Sequence, residues 1–230
     1  MESKLILSIE TSGAESSVAL SQGGLTVGSV TLDGSFTQSS MLAPAVESLF
    51  RQCSREMSEC AAVAVSSGPG SYTGLRVGVS TAKGICYGLK VPLLKVGTLE
   101  VLLAEAQTLE QCADASFIVP VLDARRMEVY QAVYDAGGRC VEPVSAKILD
   151  AGSYSDLLSQ GKVAFIGTGA GKYQKAFPHP NGIYVQCAPK AGYMAAAAYA
   201  AFEAGRFEDV AYFEPFYLKE YVAVVGKRLF

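Results

Sequence analysis

One pattern occurs twice in this chain, and it restricts the fold more than any other feature. A short apolar run at residues 5–9 ends in Glu10-Thr11-Ser12-Gly13. A second run lies near 17–20, the chain turns at Gly23-Gly24, and a third run covers 26–32. The same order returns about 113 residues later: a run at 117–122, then Asp123-Ala124-Arg125-Arg126, then 128–134, a turn at Asp135-Ala136-Gly137-Gly138, and 139–149. Short apolar and β-branched runs bounded by glycine turns read as neighbouring antiparallel strands. Strand, acid, turn, strand, glycine turn, strand, stated twice, is the mark of an internal duplication.

Helical periodicity follows each triplet. Met41, Leu42, Ala45, Val46, Leu49, Phe50 and Cys53 share one face of a helix over 41–53. Ser39 or Ser40 is placed to cap it, with Pro44 in its first turn. A strand at 61–66, a glycine turn, a helix at 73–89, a strand at 92–96 and a helix over 99–109 capped by Thr98 complete the first half. The second half continues with a helix at 153–160, a strand at 163–166 running into Gly167-Thr168-Gly169-Ala170-Gly171, and an alanine-rich helix at 192–204. Antiparallel triplets followed by alternating helix and strand predict an α/β fold with mixed sheets. Two lobes are expected, 1–110 and 111–230, joined near 111–116, with the last helix free to pack back on the first lobe.

Composition removes several classes of function. Half of the 230 residues are hydrophobic and 18% are charged, a globular profile. The net charge of −3, with no run of four basic residues, makes the chain a poor sole anchor for nucleic acid. The six cysteines include no Cys-x-x-Cys pair, which argues against a zinc site. His179 is the single histidine and lies in a turn-rich loop, Phe177-Pro178-His179-Pro180-Asn181-Gly182. Triad hydrolysis and His-Glu-x-x-His proteolysis have no place here. The apolar run after Met1 is too short for a signal-peptide core, and no stretch nears the roughly 20 apolar residues of a membrane span. A cytoplasmic chain with reduced thiols and no membrane contact is expected.

The segment from Ser66 to Gly84 carries the most specific motif. An apolar strand runs into Gly68-Pro69-Gly70-Ser71-Tyr72-Thr73-Gly74 and then into a helix rich in small residues. Glycines there permit positive φ and close backbone approach. Two readings stand: a tight connection that lets the helix pack on the sheet, or an anion site at a helix N-terminus. The motif is neither a Walker A loop nor a Gly-x-Gly-x-x-Gly fingerprint.

Gly-Pro-Gly-Ser-Tyr-Thr-Gly-Leu-Arg-Val-Gly at 68–78, with Lys83-Gly84 downstream, resembles the signature of the TsaB (YeaZ) family. The blocks at 5–12, at 123–130 (Asp-Ala-Arg-Arg-Met-Glu-Val-Tyr) and at 215–219 are similar to the family's others, with Lys219 where arginine is usual. The resemblance implies an actin-like fold of the sugar-kinase and Hsp70 type. It implies a non-catalytic subunit, a pseudo-enzyme, in making threonylcarbamoyladenosine next to the tRNA anticodon. The implied partners are a TsaD-type paralogue, a TsaE-type ATPase, tRNA through the complex, and a second copy of the chain, weakly, when alone. No cofactor is expected on this chain by itself; ATP and Mg belong to the assembled complex. The metal-binding histidine pair of the TsaD family is missing, and Gln38 stands where many TsaB proteins keep a histidine.

Each candidate site then has two readings. Glu10 and Asp123 could hold metal-bound water or phosphate, or could accept hydrogen bonds from their own turns. Gly167 and Gly169 could contact a nucleotide, or could only allow a strand-to-helix turn. Leu42, Val46, Leu49, Tyr72, Thr73, Arg76 and Val79 could meet the TsaD-type partner through a helix bundle, or could be core. Gly68, Pro69, Gly70, Ser71 and Gly74 shape the signature turn near that partner. The alternatives to a scaffold are an independent ATP-binding phosphotransferase and an M22-type glycopeptidase, the latter lacking its histidines.

Overall fold

The computed structural model describes residues 4–32 and 38–219, with only the backbone described at 38 and 39. Among the described residues ten strands form two five-stranded sheets. The first contains β1 (Leu5–Glu10), β2 (Ser16–Gln22), β3 (Leu25–Leu32), β4 (Cys60–Ser66) and β5 (Leu93–Val96), in the order β3-β2-β1-β4-β5. The second contains β6 (Phe117–Asp123), β7 (Glu128–Asp135), β8 (Cys140–Ile148), β9 (Val163–Ile166) and β10 (Gly182–Val185), in the order β8-β7-β6-β9-β10. In both sheets the first three strands are antiparallel and the last two join in parallel. The duplication expected from the sequence is thus a duplication of topology, and the fold is α/β with mixed sheets.

Alternation along the strands explains the layers. Leu5, Leu7 and Ile9 on β1, with Val18 and Leu20 on β2, face α1 (Gln38–Gln52) and α2 (Tyr72–Leu89). Ile6, Ala19, Ala62 and Ala64 face the other way, toward the 3-10 turn Ala191–Met194 and α6 (Ala195–Glu203). In the second sheet Ile118, Leu122, Ala164 and Ile166 face α3 (Thr98–Ala106), while Val119, Val121, Val129 and Phe165 face α4 (Ser155–Gln160) and α5 (Ala170–Ala176). The covering helices are therefore exchanged: α3, from the first half, lies on the second sheet, and α6, from the second half, lies on the first.

Several local expectations are corrected. α1 starts at Gln38, so Ser39 and Ser40 lie within it and Pro44 sits in its interior. α3 is capped by Gly97, whose N–H donates to the Glu100 carboxylate at 3.0 Å, and not by Thr98. α5, the helix that a strand-to-helix turn at Gly167 and Gly169 calls for, has only seven residues; β10 lies outside the expected elements and is a four-residue edge strand, half-buried throughout. Burial pushes the thiols of Cys86 and Cys187 up to about 12, so both are neutral.

Candidate functional site

The signature turn joins β4 to α2 and is anchored from three sides. Ser71 accepts the Gly74 N–H in its side chain at 3.2 Å and so caps α2. The Ser71 N–H donates to Ser12 O at 2.7 Å, which fixes the turn to the β1–β2 connection. A Cβ at Gly70 would lie 2.6 Å from Ser12 Cβ and from Ser12 O, so only glycine permits that approach. Gly68 has φ of 106° and faces Phe216 O, while its own carbonyl accepts from Thr98 N–H at 3.0 Å. Pro69 follows in a cis peptide and is buried. The Ser71 and Gly74 amides are both taken up within the turn, as a tight connection requires.

A strap closes over it. After α6 the chain pairs Glu208 with Leu93, Lys83 Nζ donates to Ala211 O at 3.0 Å, and Phe216 N–H donates to Ser67 O at 2.7 Å. Tyr217 packs on Tyr72, with ring centres 4.8 Å apart, and Arg76 lies 4.5 Å above the Tyr72 ring. Lys219 then pairs with Glu128 on β7 of the other sheet. A cleft of about 640 Å³ lies beneath the strap, walled by Phe207, Phe213 and Phe216, with Lys95 paired to Glu208 at 3.0 Å.

Glu10 ends β1 and is fully buried. Its Oε1 accepts the Ser12 N–H at 2.6 Å. Desolvation raises the carboxyl above its usual value, against hydrogen bonds from Ser12, Ser66 and the Thr11 backbone that favour the anion. Asp123 ends β6, is exposed, and is engaged by Lys172 Nζ at 2.5 Å and the Arg125 N–H at 2.7 Å. Both acids thus accept hydrogen bonds from their own turns. Gly167, at φ of 122°, has Val121 O 2.4 Å from where a Cβ would lie, and Gly169 has Val129 Cγ1 at 2.9 Å. Packing of the strand-to-helix turn on β6 is sufficient reason for both glycines. Among the described residues no group of three or more His, Cys, Asp and Glu side chains could hold a metal.

The partner candidates divide. Leu42, Val46 and Leu49 are at most 1% exposed and Val79 is 5% exposed, all within the core between α1, α2 and the first sheet. They are core and not surface; each contributes about 1.5–3 kcal/mol by its burial. Thr73 and Arg76 are exposed, and Tyr72 is half-buried under Tyr217. The Gln38 side chain lies outside the described residues. Thr73 and Arg76, both among the partner candidates, begin an outer stripe of α2 that continues through Ser80, Gly84 and Tyr87, which were not candidates; all five are exposed at helical spacing, Tyr87 by 85%. Apart from the adjoining residues and backbone of α2 itself, no described atom lies within 4 Å of where a Cβ would sit on Gly84 or Gly88, whereas at Gly78 Thr11 Oγ1 would be 2.1 Å away. The glycines were visible in the sequence; which of them face outward was not.

Two mixed sheets of one order, with exchanged covering helices, define a protein of the actin-like ATPase fold. The fold is shared with the activator of the 2-hydroxyisocaproyl-CoA dehydratase from Clostridium difficile, at a TM-score of 0.50 and 11% identity, covering 89% of this chain and 97% of that one. A family model described as TsaD, tRNA N6-adenosine threonylcarbamoyltransferase, matches residues 36–223, and the chain belongs to the TsaB (YeaZ) family within its reach. YeaZ from Pseudomonas aeruginosa superimposes with a TM-score of 0.77 at 25% identity, covering 94% of this chain and all of that one. The tRNA threonylcarbamoyladenosine biosynthesis protein TsaB of Escherichia coli is 28% identical over 95% of this chain and 96% of its own length. The protein of that name from Bacillus subtilis is 32% identical over 60% of this chain, and the match spans 58% of its length. Membership ties the chain to threonylcarbamoyladenosine biosynthesis. No helix among the described residues is long and apolar enough to cross a membrane.

Proposed function

We propose that this chain is a non-catalytic assembly subunit that holds a TsaD-type partner in its active form for transfer of the threonylcarbamoyl group to tRNA adenosine. The observation that carries the reading is the outer stripe of α2. A glycine inside a helix costs about 0.5–1 kcal/mol relative to alanine. At Gly78 the fold gives a reason, since Thr11 leaves no room. At Gly84 and Gly88 the folded chain gives none, and the space above them is open. Glycines there suit close approach by a helix from another chain. The same stripe would let two copies pair weakly when the partner is absent. A TsaE-type ATPase, ATP with Mg, and tRNA would join the assembled complex. The partner is stabilised in one state through contacts it makes only there, a population shift.

The test is co-expression with the TsaD-type protein of the same cell, followed by size exclusion with light scattering. The wild type is expected to form a mixed complex. Gly84→Ala is expected to raise stability in urea by about 0.5–1 kcal/mol, whereas Gly84→Leu should fold and yet lose the complex. No wild-type complex, or a Gly84→Leu chain that binds as well as wild type, sinks the reading.

A further inference from the structure

The hairpin between β6 and β7 makes an unusual choice of residues. Arg125 and Arg126 both have positive φ, 68° and 47°. L-residues adopt that backbone at a cost, and hairpin turns that need it are commonly Asn-Gly or Asp-Gly. Here both positions hold arginine. The fold itself gives no reason for the side chains. The turn is closed by main-chain bonds, Ala124 N–H to Glu128 O at 3.1 Å and Glu128 N–H to Arg125 O at 3.3 Å, and by the Asp123 carboxylate, which accepts the Arg125 N–H at 2.7 Å. Both arginine side chains are exposed.

The acids around this tip are already engaged. Asp123 pairs with Lys172 and Glu128 with Lys219. At the adjoining end of β8, where Leu149 N–H donates to Met127 O, the Asp150 carboxylate accepts from Gly152 N–H and Ser153 Oγ. Among the described residues neither guanidinium has an acidic partner. The tip therefore presents two uncompensated, always-charged groups on a hydrogen-bonded hairpin turn, in a chain whose net charge is −3.

We propose that the Arg125–Arg126 tip is a contact for RNA phosphates. The guanidinium fork matches a phosphate with two parallel hydrogen bonds. A short basic tip of this kind adds one or two phosphate contacts to a surface supplied mainly by another subunit, and it adds them without sequence preference. That the RNA is a tRNA rests on the proposed function.

Anisotropy of labelled tRNA, titrated at several salt concentrations with the complex of this chain and its TsaD-type partner, tests the tip. The variant is Arg125→Asn with Arg126→Gly, residues that suit the turn, so its melting temperature should equal or exceed that of the wild type. The expected result is an intact protein complex that binds tRNA about tenfold more weakly at low salt. The slope of log K against log salt should be shallower by about 1–2, as for one or two lost phosphates. Unchanged affinity and slope overturn the proposal and leave the scaffold reading standing. Loss of a protein subunit with unchanged tRNA binding overturns it in favour of an acidic protein face. If the wild-type chain forms no complex, the scaffold reading fails instead. The same titration on the chain alone then decides: salt-sensitive binding that the variant loses supports the tip, and none overturns it.

Discussion

Glu10 and Asp123 stand at matching places in the sequence repeat, and the structure sets them in opposite environments. Glu10 pairs across the sheet with Ser17, whose hydroxyl accepts the Ala191 N–H, so it faces the layer made by the Ala191–Met194 turn and α6. Asp123 pairs with Val129, which packs with Ala170 and Tyr173 of α5, so it faces the opposite covering layer. A shift of one residue along a strand moves a side chain to the other face. Six residues separate the paired positions of the β1–β2 hairpin and five those of the β6–β7 hairpin. The lesson is that a repeat conserves strands more faithfully than it conserves which way a strand-end acid points.

Substitutions can break this contrast or sharpen it. Glu10→Ala should cost about 2–4 kcal/mol in urea unfolding, because it leaves a cavity and a buried Ser12 N–H without its acceptor. A loss below about 1 kcal/mol would mean that Glu10 is not built into the core as described.

Glu10→Gln keeps the acceptor and removes the titration. Burial raises the folded-state value of Glu10, so the native chain holds the proton over a pH range in which the unfolded chain has released it. The stabilising contribution of Glu10 is then fully present below about pH 4.5 and is lost as pH rises through the raised folded value. The stability of wild type minus that of Glu10→Gln should accordingly fall from acid to neutral pH. A difference that stays flat would contradict the desolvated environment.

Asp123→Ala should have the smallest effect, at most about 1 kcal/mol, because its partner Lys172 meets a carboxylate that is 42% exposed. A larger loss would give the second acid a structural weight equal to the first.

Much of this molecule was legible in its residues. Alternation and glycine turns placed the three-strand units, helical spacing placed α1, and the small-residue segment after the signature turn placed α2. β10 escaped because Gly182-Ile183-Tyr184-Val185 is too short to show a period. α5 was implied by the strand-to-helix turn but given no bounds, because Lys172, Gln174 and Lys175 interrupt any apolar stripe. Spacing also marked Leu42, Val46 and Leu49 as one buried face, but a hydrophobic stripe does not say whether its cover is the chain's own sheet or another protein. The outward glycines of α2 and the left-handed arginines depend on where the backbone turns, and composition carries no trace of that.

The exchange of α3 and α6 between the sheets has a consequence for biosynthesis. Ile6, Ala62, Ala64 and Leu94 are covered by residues that follow Lys190. At the usual 5–20 residues per second, the roughly 100 residues between β5 and α6 take about 5–20 s to emerge from the ribosome. For that interval the nascent first half carries a bare apolar sheet. A chaperone that attends the elongating chain would find its binding surface there, and would be released when the last helix arrives.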